Sequence, residues 1–288
     1  MQRRLFMQSA AALGTIGIAS TAGCSSLNPF ASDDIDDAVE WLPDPDWIDS
    51  ELEHGSVTIT QPAEIADLYD FPGVPGTSSV EVAEASPDDV GQEIEFTIDT
   101  HSIEILLGDF DADWIDSLFL EDDSYDFETD VDGFEIHTEE TGFSSSAYAI
   151  RDDAYIEVSG SDPEDIVEDV IDASNGDADR FVESVDAAEI LSDNLDLEHE
   201  LSFQTFDRIE EDNPASGEFT NLTGTGEQAV IEDDTEDVTE VLIFRDDDDA
   251  SDADIDEYIE SGAFSSAVSE PETDVDDNII TIEYQRGL

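Results

Sequence analysis

No lysine occurs in these 288 residues, and seven arginines stand against 80 aspartates and glutamates, a formal net charge of −73. That shortage excludes nucleic acid as a partner, because such binding neutralises phosphates with Lys and Arg. Anionic lipid surfaces are excluded on the same ground. Cysteine is almost missing too: Cys24 is the only one, so no internal disulfide can form. The four histidines, His54, His101, His137 and His199, are scattered without H-E-x-x-H or any other ligand spacing. There is no G-x-S-x-G elbow, and Gly224-Thr225-Gly226 lacks the Gly-Lys-Ser/Thr ending of a phosphate loop. Carboxylate pairs of the glycosidase type carry no information when 80 acids make every pairing available. These absences argue against an enzyme.

What is present begins with an N-terminal address. Arg3 and Arg4 lead into an apolar stretch from Leu5 to about Ala22, which closes on small residues before Cys24. Positive charge, a short apolar core and a small-residue cleavage site make residues 1–23 a signal peptide. The core contains Gln8, Ser9, Gly14, Thr15 and Gly17, so it falls short of the roughly 20 firmly apolar residues a spanning helix needs.

Arg3-Arg4-Leu5-Phe6-Met7-Gln8 resembles the twin-arginine export motif, with Arg3, Arg4 and Phe6 as its signal residues and Gln8 where Lys is usual. Such signals are addresses read by a receptor. Thr21-Ala22-Gly23-Cys24 resembles a lipobox, with Thr21 where Leu is usual. The resemblance implies a cleaved leader and a lipid on Cys24. One acyl chain binds membranes only marginally, so stable anchoring implies a two-chain lipid.

Such acidity with low hydrophobicity would mean disorder. Here 39% of the residues are hydrophobic, with 15 Phe and 3 Trp, and they fall in periodic runs. Salt reconciles the two, since at 1 M the Debye length is about 3 Å and surface carboxylates barely repel. Lysine-free, acid-saturated surfaces of this kind resemble haloarchaeal proteins. The leader, together with Asp162-Pro163-Glu164-Asp165-Ile166 and the stretch 170–180 that follows, resembles haloarchaeal twin-arginine-exported lipoproteins. That group has no settled activity to carry over. The resemblance implies a location on the outer face of the cytoplasmic membrane, with the membrane as partner through the lipid and no cofactor beyond it.

Residues 24–53 form an acidic tether with Pro29, Pro43 and Pro45, interrupted by Trp41-Leu42 and Trp47-Ile48. Two blocks follow, 54–180 and 181–288. In the first, alternation predicts strands at 57–60, 80–85, 93–98, 102–107 and 133–138, and a hairpin of 147–150 and 154–158 around Arg151-Asp152-Asp153. Short helices are predicted at 62–69 and 113–118. A clear helix opens at Asp162-Pro163, with Ile166, Val167, Val170 and Ile171 at helical spacing, and Asn175-Gly176 closes it. The second block predicts helices at 181–195 and 254–260, and strands at 199–207, 228–232, 239–244 and 278–284.

Asp111-Ala112-Asp113 recurs as Asp252-Ala253-Asp254, and Glu128-Thr129-Asp130-Val131-Asp132 recurs as Glu272-Thr273-Asp274-Val275-Asp276. An internal duplication and chance matching in an acid-rich chain both remain open. The element mixture predicts an α+β fold of two similar blocks, antiparallel strands with helices packed on one face.

The best metal candidate is Glu128, Asp130, Asp132 and Glu139, which with Gly133 fit the calcium-loop spacing. The flanks lack the helices that template presumes, so a solvated turn is the competing account. Asp246–Asp249 could hold a weakly bound cation or serve as a hydrated loop. Asn221-Leu222-Thr223 is the one N-glycosylation sequon. The function expected is a cell-surface, non-enzymatic binding or structural module. A solute-binding component of a transporter and an extracellular hydrolase are the alternatives; the hydrolase would need His101 or His137 beside paired carboxylates.

Overall fold

The computed structural model describes residues 38–45, 53–61, 93–109, 112, 115–116, 119, 125–141, 144–196, 199–206, 209, 212–232, 235–261 and 264–287. The leader, Cys24, the helix predicted at 62–69 and the strand predicted at 80–85 lie outside the described residues.

Among the described residues, twelve strands form one antiparallel sheet: β1 Glu53–Thr60, β2 Glu93–Thr100, β3 Ile103–Asp109, β4 Tyr125–Val131, β5 Phe134–Thr141, β6 Ser144–Arg151, β7 Ala154–Gly160, β8 Glu200–Phe206, β9 Leu222–Glu232, β10 Thr235–Phe244, β11 Glu272–Asp276 and β12 Ile279–Gly287. Their order across the sheet is β11-β12-β10-β9-β8-β1-β2-β3-β7-β6-β5-β4. The α+β class with antiparallel strands is as expected. The two blocks share this one sheet, joined where β1 pairs β8, and both fall in one compact unit.

Among the described residues, the α-helices with both ends placed are α1 Pro163–Asn175, α2 Phe181–Ser184, α3 Asp186–Asn194, α4 Asp247–Asp252 and α5 Ile255–Glu260. The helix predicted over 181–195 breaks at Val185, whose extended backbone serves both as C-cap of α2 and N-cap of α3. Gly176 ends α1 in the left-handed region, as Asn175-Gly176 predicted. Arg180 reinforces that end by donating from Nε to the Ala173 carbonyl at 3.1 Å, where the helix dipole favours a cation.

The two faces of the sheet differ by a one-residue step. On one face Ile59, Ile98, Ile105 and Ile156 stand side by side across β1, β2, β3 and β7, all fully buried. α2 and α3 cover this face. Phe181 stacks on Phe203 with ring centroids 6.0 Å apart, and α3 lies so close to β9 that a Cβ on Gly226 would come within 2.5 Å of Leu195 Cδ1. This close approach is the physical reason for Gly224-Thr225-Gly226. Trp41 and Leu42, assigned to the tether by sequence, are buried, and the Leu42 carbonyl accepts from Phe181 N at 2.9 Å.

The opposite face carries two smaller cores. Phe219, Leu242, Phe244, Ile280 and Ile282 pack with Ala250 of α4 and Tyr258 of α5. Leu106, Tyr148, Ile150 and Tyr155 pack with Ile115 and Phe119, which share a helical stretch with Ala112 and Asp116 at i, i+3, i+4 and i+7 spacing. Helices therefore lie on both faces. Short acidic segments such as α4 need only one apolar anchor, Ala250, to dock.

The repeated five-residue words do not occupy equivalent places. In the first, Val131 is the last strand residue and Asp132-Gly133 make the two-residue turn to Phe134. In the second, Asp276 is the last strand residue and the turn is Asp277-Asn278. The offset of one residue reverses which face each matched side chain takes, so the words do not support a duplication.

Candidate functional site

The face carrying the two smaller cores also carries a register row that crosses all twelve strands. Its members, each directly opposite the next, are Thr273, Ile282, Glu240, Glu227, Ser202, Thr58, Asp99, Glu104, Glu157, Tyr148, His137 and Phe127. Directly opposed residues project from the same side of a sheet, so the row is a polar belt with a nest of aromatic and acidic groups towards each end.

The first nest centres on His137 of β5, which is fully buried. Its Nε2 lies 2.8 Å from Asp116 Oδ1. The ring stacks on Phe119 at 5.1 Å and meets Phe127 edge-on at 5.6 Å. Nδ1 has no hydrogen-bond partner among the described residues, and because an ionised carboxylate only accepts, Nε2 is the nitrogen that donates, to Asp116. Glu135, two residues back on the same strand and face, brings a third ligand-type group, and one such atom from each of Asp116, Glu135 and His137 lies within 4.8 Å of the others. Tyr148, opposite His137, is held above the usual phenol range by burial and by the nearby Glu157.

The second nest centres on Glu240 of β10. Tyr258 of α5 donates to its Oε1 at 2.7 Å. Burial raises the carboxyl to about 7, against the opposing pull of that hydrogen bond. Burial and the Glu240 charge raise Tyr258 in turn, and Tyr284 is pushed up to about 12 by burial, then by Glu227 and Glu240. Arg286 closes the nest, with Nε 2.5 Å from Glu236 Oε2 and Nη1 3.0 Å from Glu227 Oε1. Burial would lower this guanidinium, but the Glu236 bond and the two carboxylate charges outweigh it. Glu200 is raised by burial, then by Glu236 and Glu227, with Arg286 opposing.

Between the nests, Asp99, Glu104 and Glu157 stand in register on adjacent strands. Like charges directly opposite destabilise a sheet. Glu104 is only 9% exposed, and burial raises Asp99. Thr60 and Thr97, one register step along, are hydrogen-bonded to each other and buried.

No protein-family model and no curated protein matches the chain. Among solved structures it is similar to TP0453. Crystal forms III and IV of that protein align with a TM-score of 0.48 at 10% identity, covering 81% of this chain and 90% and 88% of that one. Crystal form I gives 0.46. Similarity of this degree says nothing about function.

The calcium-loop candidates do not come together. Glu128, Asp130 and Asp132 run along β4 into its turn, while Glu139 sits opposite Tyr125 at the far end of the hairpin. Antiparallel pairing spreads these positions along a ribbon where a calcium loop would wrap them round an ion. Asp246–Asp249, expected as a hydrated loop, caps and opens α4: Asp246 accepts from Asp249 N at 3.0 Å, and that bond lowers its carboxyl. Asn221, the sequon residue, has a left-handed backbone. Its Nδ2 donates to Asp249 Oδ1 at 2.9 Å and its Oδ1 accepts from Arg245 at 3.2 Å.

His199 is structural, its Nδ1 accepting from Ile231 N at 2.9 Å. His101 sits exposed in the β2–β3 turn, and His54 lies in β1. The described arginines, Arg151, Arg180, Arg245 and Arg286, each pair with a carboxylate of the chain itself. Sequence reasoning missed both nests. Tyr258 and Glu240 are 18 residues apart, and nothing local marks one glutamate among 80 acids.

Proposed function

We propose that this chain is an exported lipoprotein of a halophilic archaeon, held on the outer face of the cytoplasmic membrane by a lipid on Cys24. Its folded part acts there as a non-enzymatic binding or structural module. The observation that carries the proposal is the order of the first 24 residues: paired arginines, a short apolar core, small residues, then the chain's only cysteine. The surplus of carboxylates suits a body that works in concentrated salt, where like charges are screened. The pairing of each described arginine within the chain agrees with a module that does not engage polyanions.

Intact-mass and peptide mass spectrometry of native, membrane-extracted material tests this. The expected result is a chain beginning at Cys24 that carries a two-chain lipid. A retained leader or a free Cys24 thiol refutes the anchor.

A hydrolase is the second reading, because His137 stands beside Asp116 and Glu135. Against it, the ring is fully buried and Nε2 is engaged by Asp116. A general base needs reach to a substrate proton.

A further inference from the structure

We propose that Asp116, Glu135 and His137 form a binding site for one first-row transition-metal dication, with Zn²⁺ as the reference ion. This proposal does not depend on the lipid anchor. Among the described residues it is the one place where an imidazole nitrogen and two carboxylate oxygens converge, all within 4.8 Å of one another. Bonds of about 2.0–2.2 Å to a tetrahedral zinc set its ligand atoms roughly 3.3–3.6 Å apart. The His137–Asp116 pair, at 2.8 Å, needs only to open slightly. Glu135, which already interacts within the chain, would turn its carboxylate toward the ion.

Chemistry separates this site from the acidic surface around it. Carboxylates alone suit the hard cations of brine, whereas imidazole suits Zn, Cu, Fe and Ni. The charge balances, since Asp116 and Glu135 as carboxylates neutralise a dication and His137 binds as the neutral ring. The proton balance is equally simple. The proton on Nε2 leaves as the ion takes that lone pair, and the bound neutral ring carries its one proton on Nδ1.

Nδ1 has no acceptor among the described residues. Lost outer-shell partners typically cost a metal site about 10–100-fold in affinity, so binding is expected to be correspondingly weaker than at a fully supported zinc site. The structural effect would be a staple. The ion would tie the helical stretch of Ile115, Asp116 and Phe119 to β5 over the cluster of Phe119, Tyr125 and Tyr148.

The test uses the full chain with Cys24→Ser, so that no thiolate competes, stripped with chelator and held in molar KCl with excess Mg²⁺ and Ca²⁺. ZnCl₂ is titrated by calorimetry and CoCl₂ by visible absorption, and the imidazole nitrogens are followed by long-range ¹H–¹⁵N NMR. One equivalent should bind saturably, and His137 should lose its Nε2 proton and carry one on Nδ1. Glu135→Gln and Asp116→Asn, both of which leave His137 in place, should each weaken binding at least about tenfold. His101→Asn should leave it unchanged. No saturable uptake near one equivalent, equal affinity in Glu135→Gln, or an unmoved imidazole proton would each overturn the site.

Discussion

Tyr258 reaches from α5 to Glu240 on β10 and donates its phenolic hydrogen to Oε1 over 2.7 Å. Burial keeps that carboxyl at about 7, above the ordinary 4.5. A group whose folded value is raised gives its full stabilisation below the unfolded value and loses it as pH rises through the folded one. The window therefore runs from about 4.5 to about 7. Glu240→Gln keeps an acceptor for Tyr258 and cannot ionise. It is expected to match the wild type at the acid end and to exceed it by roughly 3–3.5 kcal/mol above pH 7, at about 1.4 kcal/mol per pKa unit over the rise from 4.5 to about 7. Denaturant unfolding in molar KCl over a pH series measures this. A difference that stays constant with pH would show that Glu240 does not titrate in the window.

Asp99, Glu104 and Glu157, side by side on adjacent strands, are expected to make the centre of the sheet salt-dependent. Their mutual repulsion is screened in brine and returns on dilution. Asp99→Asn removes one of the three charges with little change of shape. The KCl concentration at which the protein half unfolds on dilution should fall, with a gain of about 0.2–1 kcal/mol at low salt for the relieved cross-strand contacts. Circular dichroism along a KCl dilution series is the measurement.

Gly226 has no room for a methyl group. A Cβ there meets Leu195 at 2.5 Å and Leu191 at 2.8 Å, so Gly226→Ala must push α3 or its leucines outward. Overpacking of this kind costs about 1–3 kcal/mol. Thermal melts of the variant and the wild type at one salt concentration should differ in that direction, and equal melting temperatures would mean that α3 is not seated on β9 as described.

The side-chain amide of Asn221 is already engaged by Asp249. If the proposed twin-arginine leader exports the chain already folded, this sequon is presented with its nitrogen hydrogen-bonded. Peptide mapping of native material should therefore find Asn221 without a glycan, and Asp249→Ala should raise its occupancy. Full modification of the wild type would mean that the Asn221–Asp249 bond opens before the glycan is added.

Sequence legibility followed apolar contrast. Ile105, Ile156 and Ile98 sit in runs whose alternation or density marks a strand at once, and Asp162-Pro163 with Asn175-Gly176 bounds α1 at both ends. β11 was hidden because all five of its residues are exposed, so a strand that buries nothing writes no period-2 pattern. α4 was hidden in the same way, with Ala250 its only buried residue. Val185, which divides α2 from α3, is apolar and kept the helical periodicity going across the break. The His137–Asp116 pair spans 21 residues, and it depends on a helical stretch crossing β5, which no local spacing encodes.

Among the described residues β4 and β11 bound the sheet, and both are rich in carboxylates, with Asp126 and Asp130 on one and Glu272, Asp274 and Asp276 on the other. Charge on a border strand discourages a neighbouring molecule from adding its own strand there. In molar salt that repulsion reaches only about 3 Å, less than the roughly 4.8 Å between paired strands. The concentrated salt proposed as this protein's medium would thus disarm its outer ribbons. Edge-to-edge polymerisation is expected to grow with salinity, and light scattering across a KCl series would register it as rising mass.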